Sequence, residues 1–200
     1  MRGYKMTDES LCIRTNGIQS DNNHSYFNHR YEPTSYQFLD HLFNEHILSP
    51  NDTLIDFGCG KGRLNFYVNY CFQCNTKGIE LNTTYYKEAL QNLIAYKGSS
   101  KQKVQFICMP AQNYTVSNTD NYFYFFNPFS IEIFRQVICN IIYSIEHTPR
   151  KCNIILYYAD PEYIFYLENY TLFELVEEIK LPHTKDERDC FYIYSNYNHK

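Results

Sequence analysis

Apolar residues recur at helical spacing from residue 34 onward. Phe38, Leu39, Leu42, Phe43 and Ile47 mark one face of a helix over 34–48. Thr34 or Ser35 offers an N-cap, and Ser49-Pro50-Asn51 ends the segment. Short apolar runs then alternate with helical stripes. Residues 52–57 predict a buried strand, 61–71 a helix, and 75–80 a second strand with an acidic end. Residues 83–97 carry Tyr86, Leu90, Leu93 and Ile94 on one helical face. Strands follow at 104–109 and 122–127, and 130–145 carries the clearest helical stripe, with Phe134, Val137, Ile138, Ile141, Ile142 and Ile145. A fifth strand covers 153–159, and a short helix starts at Pro161. Strands that alternate with helices imply right-handed crossovers and a parallel sheet covered on both faces. The last two runs, 171–181 and 190–196, are joined by polar PHTKDERD without a helix, so they pair as an antiparallel hairpin. The expectation is an α/β, doubly wound, seven-stranded and mostly parallel sheet with an antiparallel C-terminal hairpin.

Residues 1–30 are polar and aperiodic, which predicts a loosely ordered arm ahead of a single domain over 31–200 whose core starts at residue 52. An apolar content of 44% in 200 residues suits one core. No segment has the pattern of a signal peptide or the length of a membrane span, which gives a cytoplasmic expectation. The eight cysteines are scattered through apolar patterns and read as small buried side chains. Cys71 and Cys74 form a lone CxxC without a second pair, and the histidines at 24, 29, 41 and 46 lack ligand spacing, so no metal is expected. The net charge of −4, with lysines and arginines spread thinly, lowers the expectation of a nucleic-acid partner without excluding one.

The chemistry concentrates in DFGCGKGR, residues 56–63. Gly58, Gly60 and Gly62 follow the first strand, where a doubly wound sheet binds ligands beyond its carboxyl ends. Glycine there permits positive φ and close approach, and the next helix offers free N–H groups to an anion. A P-loop needs Ser or Thr after its lysine, but Lys61 is followed by Gly62. A dinucleotide fingerprint needs a third glycine where Arg63 stands.

DFGCGKG instead resembles the first motif of the class I S-adenosylmethionine-dependent methyltransferases. Glu80, at the tip of the second strand in GIELN, matches the family's acidic residue that takes both ribose hydroxyls. A carboxylate accepts two hydrogen bonds from a cis-diol, which gives that match its chemistry. The resemblance covers about residues 50–200 and implies S-adenosyl-L-methionine as cofactor. It places Gly58, Cys59, Gly60 and Gly62 along the cofactor, Glu80 and Leu81 at its ribose end, and Ala111 and Gln112 beside the adenine. The family's Asp-Ala at that third position is replaced by Met109-Pro110-Ala111-Gln112. Asp56 reads as a residue that orders the glycine turn and reaches the cofactor through water. Upstream, HRYEPT resembles stretches in bacterial relatives of the family, which implies that Tyr31 or Thr34 touches the methionine end. A helix N-cap behind a rigid proline explains the same residues.

The fourth strand runs into Asn127-Pro128-Phe129, which resembles the family's Asn-Pro-Pro-aromatic motif with one proline missing. The resemblance implies that these residues face the methyl group and a nitrogen acceptor, and the shortened motif leaves oxygen and carbon acceptors open. Alignment and desolvation carry much of an in-line displacement. An Asn side-chain oxygen can hold the acceptor's hydrogens, and an aromatic ring can wall a planar substrate. The reading is a methyltransferase acting on a nitrogen of a small molecule or protein side chain. Three alternatives stand beside it: a catalytically silent cofactor-binding or interaction domain, a methyltransferase acting on RNA, and a nicotinamide-dependent oxidoreductase, which Arg63 disfavours.

Overall fold

The computed structural model describes residues 6–17, 32–182, 184 and 186–197. A short helix α1 (Asp8–Leu11) precedes α2 (Tyr36–Glu45). The chain then alternates: β1 (Thr53–Phe57), α3 (Arg63–Phe72), β2 (Asn75–Glu80), α4 (Thr83–Ala95), β3 (Val104–Cys108), β4 (Tyr122–Phe126), α5 (Ile131–His147), β5 (Asn153–Tyr157) and α6 (Pro161–Tyr170). The hairpin β6 (Glu174–Lys180) and β7 (Cys190–Ser195) closes it. The described strands form one seven-stranded sheet in the order β3-β2-β1-β4-β5-β7-β6. β1 to β5 pair in parallel, and β7 lies antiparallel to both β5 and β6. The order reverses between β1 and β4, which sets the crevice above the carboxyl end of β1.

Period-two alternation divides the sheet between two cores. Ile55, Phe57, Phe123, Phe125, Ile154 and Leu156 face α5, where the expected stripe supplies Phe134, Val137, Ile138 and Ile141. Leu54, Tyr124, Ile155 and Tyr157 point the other way, against Leu39 and Leu42 of α2 and Leu64 and Val68 of α3. β1 and β5 are buried along their whole lengths because helices cover both faces. β6 is one sheet edge; it carries Glu174, Glu177, Glu178 and Lys180, and most of its length is exposed.

Two expectations change on the N-terminal side. Residues 6–17 are ordered: Thr7 caps α1, and Leu11 and Ile13 are buried against Phe66, Ala89, Tyr96 and Phe106. Polar composition misled there, because the segment orders itself through side-chain hydrogen bonds. On α4, Ile94 is exposed and Asn92 takes an inward position. The Asn92 amide accepts from Arg14 N (2.8 Å) and donates to the carbonyls of Arg14 (3.1 Å) and Lys61 (3.0 Å). A polar residue therefore sits on the buried face to hold the N-terminal segment.

Candidate active site

All three glycines after β1 adopt positive φ, at 80°, 54° and 87°. Gly58 and Cys59 donate to the Ile79 carbonyl at 2.9 and 3.2 Å, tying the turn to β2. A Cβ at Gly58 would lie 2.7 Å from Pro128 Cβ, and one at Gly62 would lie 2.5 Å from Phe106 Cζ. At these two positions the groups that approach the backbone belong to the chain itself. Cys59 turns inward, its Sγ beneath Gly78, and burial pushes its thiol well above the ordinary range. Only its backbone belongs to the turn's surface.

Gly60 N–H donates to Glu80 Oε2 at 2.8 Å, and Asn82 N–H donates to Oε1 at 2.7 Å. The tip of β2 thus holds the turn through a carboxylate. Burial raises the Glu80 carboxyl above its usual range against the opposing pull of these backbone bonds. Asp56 lies behind it, buried within β1, with no hydrogen bond to its carboxylate among the described residues. Burial first, and Glu80 second, push its carboxyl well above the ordinary value.

Asn127 leaves β4 with φ of +38°. Its Oδ1 is buried without a hydrogen-bond partner among the described residues. A left-handed asparagine with an unsatisfied amide oxygen carries two costs at one residue, a combination that recurs at functional sites. Pro128 then packs on Gly58. Phe129 departs from the cleft: it is 5% exposed, meets Phe125 edge-on at 6.1 Å, and its carbonyl accepts the Tyr163 hydroxyl. The structure therefore brings Asn127 and Pro128 to the glycine turn and puts Phe129 in the core.

Leu81 is 49% exposed beyond the β2 tip. Ala111 and Gln112 form a 3-10 turn after β3, and the Gln112 carbonyl accepts from Asn140 Nδ2 of α5 at 2.8 Å. Met109 N–H donates to the Glu80 carbonyl at 3.1 Å, extending the β2–β3 ladder, so these residues border the same end of the sheet as Glu80. Thr34 is buried against β4, its hydroxyl 2.8 Å from the Tyr124 hydroxyl, and Ser35 is the cap of α2. Tyr31 lies outside the described residues.

No protein-family model and no curated protein matches the chain. Solved structures do match its fold. An RNA methyltransferase from Salinibacter ruber in complex with S-adenosyl-L-homocysteine aligns at TM-score 0.62 and 15% identity, over 84% of this chain and 96% of its own. A putative methyltransferase from Streptococcus mutans, also with S-adenosylhomocysteine, gives 0.59 and 12% over 78% and 95%. A glycopeptide N-methyltransferase complexed with S-adenosyl-L-methionine gives 0.60 and 8% over 80% and 86%. The chain has the class I methyltransferase fold.

Within this methyltransferase fold, two residues near the strand tips escaped the sequence reading. Arg63, weighed only as a missing glycine, is buried at the start of α3. It donates to Thr15 Oγ1 (2.7 Å), Asn16 Oδ1 (2.5 Å) and the Thr34 carbonyl (3.3 Å), and its guanidinium lies 3.5 Å from Asp8 Oδ1. It joins residues 8–16 and the lead-in to α2 to the glycine turn. Tyr158, directly after β5, holds φ of +52°. Only its position at a strand tip could have marked it, because nothing in a tyrosine signals a left-handed backbone.

Proposed function

We propose that the protein is an S-adenosylmethionine-dependent methyltransferase that methylates a nitrogen of a small molecule or protein side chain. The observation that carries this reading is Asn127: a strained residue with an unpartnered buried amide oxygen, fixed by Pro128 against the glycine turn. The donor set fits the cofactor. Each Glu80 oxygen accepts one backbone N–H and keeps a further lone pair for a ribose hydroxyl. When bound, S-adenosylmethionine supplies an electrophilic methyl carbon on a cationic sulfur. The amide oxygen of Asn127 accepts an acceptor N–H and thereby fixes the direction of the nitrogen lone pair. A neutral nitrogen needs no general base to present that pair. The net charge of −4 supports a compact acceptor over a polyanion, although an RNA methyltransferase is among the structures of this fold.

The test is calorimetric titration with S-adenosylhomocysteine and with NAD, on the parent protein and on Glu80→Ala. Binding of S-adenosylhomocysteine alone, lost in Glu80→Ala, is the expected result. Binding of NAD alone would overturn the reading in favour of an oxidoreductase, and binding of neither would overturn it in favour of an interaction domain.

A further inference from the structure

Phe126 and Tyr157 are register partners on β4 and β5. The next residue on each strand is left-handed, Asn127 on one and Tyr158 on the other. Two strained residues thus leave adjacent strand ends side by side, and strain of this kind persists only where its surroundings enforce it. At Tyr158 the enforcing contacts are a cage. The Arg188 guanidinium carbon stands 4.3 Å from the centre of the Tyr158 ring. Arg188 Nε and Nη2 donate to the two oxygens of Asp186 at 3.1 and 2.8 Å, and the Tyr158 hydroxyl donates to Asp186 Oδ2 at 2.6 Å. Phe126 and Tyr157 stand edge-on to the same ring, each at 6.3 Å. An aromatic face crossed by a carboxylate is the arrangement that takes an organic cation.

We propose that this cage is a subsite for an organic cation, a guanidinium or protonated amine on the methyl acceptor, and that Arg188 fills it as a stand-in. Its role in methyl transfer rests on the methyltransferase reading above; its binding chemistry does not. Among the described residues, carboxylates outnumber cations around it. Asp189 accepts from the Tyr157 hydroxyl at 2.9 Å and acts on both Tyr158 and Arg188, and Glu32 adds negative potential at Tyr157. With Asp186, three carboxylates thus stand against one guanidinium. The hydrogen bonds from Arg188 and then Tyr158 hold the Asp186 carboxyl well below the usual range, so it is ionised at neutral pH. The Arg188 side chain is 59% exposed, which makes it displaceable: an ion pair at that exposure holds weakly. A ligand anchored there by its cation would carry a second, neutral nitrogen to Asn127 one strand away. A polyanion would meet the three carboxylates instead.

The experiment titrates agmatine and, separately, adenosine 5′-monophosphate into the parent protein, Arg188→Ala, and Arg188→Ala combined with Asp186→Asn. Arg188→Gln serves as a second way to vacate the cage while keeping the side-chain stem. Agmatine is expected to bind Arg188→Ala about fivefold more tightly than the parent, the release of a surface pair worth up to about 1 kcal/mol. The double variant is expected to lose that gain, and the monophosphate is expected to gain nothing. Agmatine affinity that is unchanged or weaker in both Arg188 variants overturns the proposal. So does monophosphate binding that Arg188→Ala abolishes, which would make Arg188 an anion receptor. S-adenosylhomocysteine titrated in parallel separates the two readings. If it binds while agmatine does not respond, the cation subsite alone falls. If agmatine behaves as expected and S-adenosylhomocysteine does not bind, the methyltransferase reading alone falls.

Discussion

Gly62→Ala should destabilise the protein through the chain's own packing, with or without a ligand. The added Cβ would sit 2.5 and 2.7 Å from Phe106 Cζ and Cε1 and 3.1 Å from Phe66 Cε2. Those are ring atoms inside a packed cluster rather than the ends of flexible chains, so they yield only if the backbone moves. Overpacking of this kind costs about 1–3 kcal/mol. The φ of +87° adds about 1–2 kcal/mol for a residue with a Cβ. The sum is about 2–5 kcal/mol. At roughly 2–4 °C per kcal/mol for a domain of this length, the thermal midpoint should fall by about 4–20 °C. Thermal unfolding followed by circular dichroism reads the shift. Phe106→Ala should lose about 3–5 kcal/mol alone. Combined with Gly62→Ala it should lose at least about 1 kcal/mol less than the two losses together, because the new methyl enters space the ring has left. A Gly62→Ala midpoint equal to the parent's, or strict additivity in the pair, would show that Phe106 does not explain this glycine.

Further expectations follow from the same geometry. Glu80→Gln should weaken S-adenosylhomocysteine by about 10- to 100-fold, the loss of charge-assisted hydrogen bonds worth about 1.5–3 kcal/mol, and calorimetry measures it. Asn127→Gly should raise stability by about 1 kcal/mol by relieving the left-handed strain while abolishing turnover; a stable variant that keeps full turnover would remove Asn127 from the reaction. For Asp56 the sign runs toward acid, because burial raises its folded pKa above the unfolded value. The stability contributed by its neutral form is complete below the unfolded value of about 3.9 and is lost as pH rises toward the folded one. Urea midpoints between pH 5 and 8 should therefore fall more steeply with pH in the parent than in Asp56→Asn, and parallel slopes would refute the reading.

The order of elements was legible because it rests on period and length. Phe134, Val137, Ile138 and Ile141 announced α5, and the missing crossover before residue 190 announced the hairpin. What stayed hidden were polar residues that serve the interior. Asn92 reads as a surface residue of α4, yet its amide is the clamp for Arg14. Thr15 is fully buried because Asp8 and Arg63 satisfy its hydroxyl, and no apolar pattern predicts that. The motif points Phe129 toward the substrate, whereas its edge-on contact with Phe125, and the hydrogen bond from Tyr163 to its carbonyl, hold it in the core.

The glycine turn shows how a true pattern can hold more than one cause. Its spacing pointed to the end of β1, and Glu80 ends β2 with a hydrogen bond from the turn. The spacing could not say that two of the three glycines are demanded by Pro128 and Phe106, since both approach from distant parts of the chain. This changes the physical account of the site. A turn held open for a ligand could flex without one. This turn is instead fastened to β2 through Ile79 and Glu80, to β3 through Phe106, and to the tip of β4 through Pro128. Gly58, Gly60, Glu80 and Pro128, with Asn127 next to it in the chain, are therefore joined by the chain's own contacts. Tyr158 at the neighbouring strand end differs, because what covers its ring is the exposed side chain of Arg188.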